Sequence, residues 1–201
     1  VLYLSLMNAC VYMSAPFFTP YMLNDLKFSY STYTAIIATA IISKLLFMPV
    51  WGKASDRFGS RKVLGLTGFL MPLAPFLWLF SSSAWYLMAV QVYAGFVWAG
   101  FEIASFNFIF DTTTPQKRAT GIAYYNVING VAIFAGSLIG GLIVRYNQIF
   151  WSQYLLVFMV SCIIRYIASF IFIPKLREVR EVEHIPYSKL FLKVISTTPT
   201  I

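Results

Sequence analysis

Apolar residues run through this chain in long blocks separated by short polar seams. Six blocks stand out, covering residues 1–23, 32–51, 63–80, 85–110, 121–144 and 154–173. A hydrocarbon layer about 30 Å thick needs about 20 apolar residues of helix to cross it, and each block meets that length. Strands of a membrane barrel would be about half as long and would alternate polar with apolar positions. These blocks do not alternate. The pattern predicts an all-α membrane protein, a six-helix transmembrane bundle over residues 1–173, followed by a cytoplasmic tail or linker over residues 174–201.

Composition agrees. The chain is 59% hydrophobic, 18% aromatic and 11% charged, against about 25% charged residues in soluble domains. A net charge of +8 raises the question of nucleic acid. The basic residues lie in the seams between blocks, however, where they set membrane orientation. Cys10 and Cys162 fall inside separate blocks and His184 is the single histidine, so neither a disulfide framework nor a metal centre is expected. No nucleotide-binding motif is present, and no cofactor is expected. The chain opens inside an apolar run without a basic n-region, unlike a signal peptide; it reads as a chain beginning just before or within its first span.

The seams differ in charge. Lys53, Arg57, Arg61 and Lys62 follow the second block, Lys117 and Arg118 the fourth, and Lys175, Arg177 and Arg180 the sixth. The alternate seams carry Asp25 with Lys27, then three serines, then Arg145. The positive-inside rule therefore places the basic seams and both chain ends in the cytoplasm. Tyr30, Trp85 and Trp151 fit an aromatic belt at the outer surface. Pro16, Pro20, Pro49, Pro72 and Pro75 each remove a backbone donor and should bend their helices.

The most distinctive seam is Gly52-Lys53-Ala54-Ser55-Asp56-Arg57-Phe58-Gly59-Ser60-Arg61-Lys62. It reads as a short basic loop. Gly52 is expected to let helices approach, Gly59 to allow a tight turn, and Asp56 to accept hydrogen bonds from a neighbouring helix N-terminus. The spacing of Gly52, Asp56, Arg57, Gly59, Arg61 and Lys62 between the second and third of six spans resembles the loop signature of the major facilitator superfamily, with Ser60 in place of one usual basic residue. Residues 114–118 resemble that family's turn between helices four and five. Gly136-Ser137-Leu138-Ile139-Gly140-Gly141 resembles its antiporter element, with Ser137 where proline would stand. Gln91, four residues before Gly95, stands where many proton-coupled members carry arginine. Both departures count against proton antiport. The resemblance implies one six-helix half of a twelve-helix fold, and the altered fourth- and fifth-span elements point to the C-terminal half.

Three ionisable side chains fall within blocks: Lys44, Glu102 and Arg165. Each costs about 2.5–3.5 kcal/mol at a membrane centre, so each needs a reason. Lys44 lies 8 residues before Gly52 and Glu102 lies 9 before Asp111, which puts opposite charges at like depth and predicts an ion pair. Glu102 reads either as a substrate or proton site or as half of a structural lock. Arg165 is expected to snorkel outward or meet lipid headgroups. Gln91, Gly95, Trp98 and Glu102 share one helical face, as do Asn8, Tyr12 and Thr19. In the family, the first and fourth helices of each half line the central cavity. The resemblance thus implies a cavity wall of Asn8, Tyr12, Gln91, Trp98 and Glu102, to which Asn126 and Asn129 are candidate additions. The small-residue stripe of Gly136, Gly140 and Gly141 is expected to pack closely, against the second six-helix half. Residues 188–195 read as a short surface helix.

The expected function is secondary active transport of a small solute by alternating access, driven by an ion or solute gradient, in the plasma membrane. Its partners are that solute, a coupling ion, the lipid bilayer and the second six-helix half. A partner-binding membrane subunit is the alternative; a membrane enzyme would require a catalytic cluster of His, Cys or paired acids, which the sequence does not offer.

Overall fold

The computed structural model describes residues 1–147, 152–176, 178, 182 and 186–196. Trp151, Arg177, Arg180 and His184, named above, lie outside the described residues. Everything regular among the described residues is helical. Four helices are long and apolar enough to cross a membrane: Tyr30–Phe58, Ala84–Asp111, Pro115–Tyr146 and Leu155–Lys175. The other two spans are interrupted, and prolines do the interrupting. Helix α1 (Leu2–Tyr12) gives way to a 3-10 turn at Ala15–Phe17, a short α2 (Phe18–Pro20) and a π turn at Tyr21–Asp25. Likewise α4 (Ser60–Leu70) stops before Pro72, and the short α5 (Leu73–Leu77) completes that span.

The second span shows the opposite behaviour. Helix α3 (Tyr30–Phe58) starts where the Ser29 hydroxyl accepts the Thr32 amide at 3.2 Å, runs through Pro49, and continues to Phe58. The basic seam is therefore not a loop. Gly52, Asp56 and Arg57 belong to α3, Arg61 and Lys62 belong to α4, and only Gly59 is left to turn the chain. Its φ of +93° is a conformation that side-chain-bearing residues rarely adopt.

Helices α6 (Ala84–Asp111), α7 (Arg118–Tyr146) and α8 (Leu155–Phe172) complete the six spans. Packing pairs α3 with α6 and α1 with α7, while α8 lies against α1, α4 and α5. Hydrogen bonds of Ser43 to Val92 and of Asn107 to Ser55 keep a nearly constant offset, so α3 and α6 run parallel. Two apolar clusters form the core. One surrounds Trp51, Leu4, Met7 and Leu64 at the signature end; the other surrounds Met22, Ile36, Trp78, Leu87 and Phe158 at the opposite end. Helix α7 buries only Gly136 and Gly140 and turns Tyr124, Val127, Val131, Phe134 and Leu138 outward. A helix so apolar and so exposed suits lipid or another membrane helix, not water. This is an integral membrane protein.

Four expectations need correction. Arg165 does not snorkel: it is 3% exposed and its guanidinium points into the bundle. Gly52 has nothing within 4 Å of the place a Cβ would occupy, and neither has Gly141, so neither glycine is a point of close approach within this bundle. Gly136 and Gly140 do pack tightly, but against the backbone carbonyls of Ala9 and Met13 in the same bundle. The tail helix α9 (Tyr187–Ser196) is not a free surface helix, because Leu190 and Val194 are buried in the signature-end cluster.

Candidate functional site

The site begins with two close helix approaches. At Gly95 of α6, an added Cβ would meet the backbone of Ala40 and Lys44 in α3. At Gly136 and Gly140 of α7, it would meet α1. Missing side chains at these points let four helices close on one another, and their polar side chains face a common cavity of about 440 Å³. Its wall includes Asn8 and Tyr12 from α1, Lys44 from α3, Trp98 and Glu102 from α6, and Asn129 from α7.

Lys44 Nζ lies 2.9 Å from Glu102 Oε2. Depth places both groups at the same level, and the approach at Gly95 brings the two helices close enough for them to meet. The pair is not dry, however. The side chains are 32% and 50% exposed, so the burial expected from the sequence is corrected: both charges look into the cavity. Glu102 also lines two adjoining cavities of about 210 and 250 Å³, which extend along α6 past Ser105, Phe106 and Asn107.

Across the cavity, Asn8 Nδ2 donates to Asn129 Oδ1 at 2.8 Å and to the Tyr125 hydroxyl at 3.3 Å. Tyr125 was missed by the sequence reading, although it lies four residues before Asn129 on the same helical face. The neighbouring Asn126 points elsewhere; it is exposed and lines none of the described cavities. Gln91 is half-buried one turn beyond the cavity and does not line it either. Thr19 shares the sequence face of Asn8, but it lies past the break in the first span and bonds the Tyr33 hydroxyl at 3.3 Å.

The signature forms a second polar centre at the end of the bundle. Ser60 Oγ donates to Asp111 at 3.0 Å, and the Arg61 amide at the start of α4 donates to Glu178 Oε2 at 2.9 Å. A carboxylate at a helix N-terminus complements the free amides and the helix dipole. An acid at the start of α4 is thus Glu178 from the tail. Only the charge of the tail could have hinted at Glu178; no spacing rule links it to Arg61, 117 residues away. Among the described residues, no group of three or more His, Cys, Asp or Glu side chains could hold a metal ion.

Residues 1–199 match the family model described as Major Facilitator Superfamily. Over 109 residues the chain is 32% identical to the Escherichia coli "Tetracycline resistance protein, class B", covering 54% of this chain and 27% of that protein. It is 32% identical over 134 residues to the class C protein of Escherichia coli, covering 62% and 32% respectively. It is also 25% identical over 119 residues to "Efflux pump azaK" of Aspergillus niger, covering 59% and 25%. Each match thus spans about a quarter to a third of the relative's own length.

Proposed function

We propose, since the chain belongs to the Major Facilitator Superfamily, that it works as a secondary active transporter half, moving a small organic solute across the membrane by alternating access. That it is a membrane transporter rests on the family itself. The solute and the mode of transport rest on the cavity, and one observation carries them. Four helices converge on a space of about 440 Å³ whose wall combines two aromatic rings, two amides and an ion pair within reach of water.

Such a wall holds a solute by stacking and hydrogen bonding while leaving its charges partly solvated. Binding of this kind is readily reversed. Two pseudo-symmetric halves rocking about a midplane site would expose it to either side in turn. The relatives' printed names support an exported organic compound as cargo. The basic signature end then faces the cytoplasm, where Lys53, Arg57 and Lys62 meet the inner leaflet. The chemistry of the site is binding, not bond-making, and we assign it no enzymatic step.

The test is counterflow in liposomes carrying the purified full-length protein, with tetracycline and a panel of aromatic, cationic and sugar solutes as probes. At least one probe should exchange, and Glu102→Gln should slow that exchange without lowering the amount of protein inserted. If intact protein exchanges none of them, or if Glu102→Gln exchanges at the unaltered rate, the cavity is not the transport site.

A further inference from the structure

Three prolines in the interrupted spans each deprive one backbone carbonyl, four residues earlier, of its usual amide. Each of those carbonyls is met by a side chain from a neighbouring helix, and Met71 O accepts the Ala74 amide at 3.3 Å as well. Pro72 frees Gly68 O, which accepts Ser169 Oγ at 2.8 Å. Pro75 frees Met71 O, which accepts Arg165 Nη1 at 3.4 Å. Pro16 frees Tyr12 O, which accepts Ser137 Oγ at 3.4 Å. The tightening of α1 into a 3-10 turn also frees Cys10 O, which accepts Ser161 Oγ at 2.6 Å. Ser161, Arg165 and Ser169 are spaced four apart on α8 and so form one stripe facing both breaks.

Arg165 holds the centre of the stripe. Besides Met71 O, its Nη2 reaches Val11 O at 3.4 Å and Ser14 Oγ at 2.8 Å. All of these partners are neutral, yet the guanidinium is fully charged and buried. Its compensation lies in the helix ends. Val11 is in the last turn of α1, Met71 follows the last turn of α4, and each helix C-terminus carries roughly half a negative charge. Two such ends answer one cation. A planar fork with five donors can serve both at once, which an ammonium cannot.

We propose that Arg165 is the splint of the two interrupted spans: it bridges the C-terminal ends of α1 and α4, holds the break at Ser14–Pro16 in one geometry, and thereby positions Asn8 and Tyr12 on the cavity wall. The bearing on transport rests on the function proposed above; the splint itself does not. The hydrogen bonds of Arg165 go to Met71, Val11 and Ser14, which do not line the cavity, so Arg165 is a positioning residue.

Cys10 provides a readout independent of transport, because it is buried on α1 beside the break. In the full chain in membranes, with Cys162→Ala so that Cys10 alone reports on this site, its alkylation by N-ethylmaleimide follows the local opening of α1. Arg165→Met should raise the rate about tenfold, the change expected from losing one charge-assisted hydrogen bond. Arg165→Lys keeps the charge without the fork; it should accumulate normally and still raise the rate severalfold, so it carries the test if Arg165→Met fails to accumulate. Ser169→Ala severs only the bond to α4 and should leave Cys10 at its original rate. In a background free of native cysteines, linking Asn8→Cys to Asn129→Cys with a short bifunctional thiol reagent should slow when Arg165→Lys is added. An unaltered Cys10 rate in Arg165→Lys would overturn the bridging role. Equal acceleration by Ser169→Ala would mean general loosening of the bundle, and would overturn it as well.

Discussion

Lys44 and Glu102 pair on a cavity wall where water reaches both, whereas Arg165 lies 3% exposed between two helix ends with no acidic partner among the described residues. Both centres place charge inside apolar spans, but the physics that permits them differs. At the cavity, partial hydration lowers the cost of each ion, and the attraction between them is correspondingly weak. Inside the bundle water is excluded, and fixed backbone dipoles take its place. The difference teaches that an intramembrane charge reports on its surroundings more than on its depth. The cavity pair is partly solvated; the buried arginine is held by the scaffold through both terminal nitrogens, Nη1 and Nη2.

Stability measurements can break this comparison. Arg165→Met should be the most damaging of the changes considered, costing about 2–4 kcal/mol through the loss of hydrogen bonds made by a charged group. Thermal unfolding of the detergent-solubilised protein, followed by near-ultraviolet circular dichroism, would reveal it as a clear fall in midpoint. A shift no larger than that of a surface variant would place Arg165 among ordinary polar groups.

The close approach of α1 to α7 comes next. Gly136→Ala puts a Cβ against the Ala9 carbonyl, and overpacking of this kind costs about 1–3 kcal/mol. Gly141→Ala, where space is open, should be neutral within about 0.5 kcal/mol. The same melting assay applied to both variants sharpens the contrast, and equal effects would remove α1 from the packing assigned to α7.

At the signature, Glu178→Gln should cost about 0.3–1 kcal/mol, the usual worth of a charge at a helix N-terminus. Added salt should shrink that difference, and a salt-independent loss would point to packing instead.

The smallest stability effect is expected at the cavity. Lys44→Met and Glu102→Gln should each change stability by no more than about 1 kcal/mol, because the pair is solvated. Both should nevertheless alter solute exchange. A large drop in protein level for either variant would make the pair a structural lock like Arg165, and the contrast between the two centres would disappear.

Much of this architecture was legible in the chain. The six apolar blocks, their helical nature and the depth of Lys44 and Glu102 follow from length, hydropathy and helical rise, which are properties of short stretches. The turn at Gly59 was legible too, since few other residues accept its backbone conformation. The interruptions at Pro16, Pro72 and Pro75 were marked as bends, but not as places where helices end. Whether proline leaves a helix running or ends it is not written in the proline itself: α3 runs on through Pro49, while α1 stops, its Tyr12 carbonyl meeting Ser137 of α7 and its Cys10 and Val11 carbonyls meeting α8.

What the chain alone determined, then, is a helical membrane bundle with one basic end, a glycine turn and two opposite charges at one level. Which charge is wet and which is dry was decided only by the tertiary structure. Solvent access, the choice of Tyr125 over Asn126, and the meeting of Glu178 with Arg61 all depend on how separate helices rotate and pack. Those rotations are set by contacts between residues far apart in sequence, and no local pattern records them.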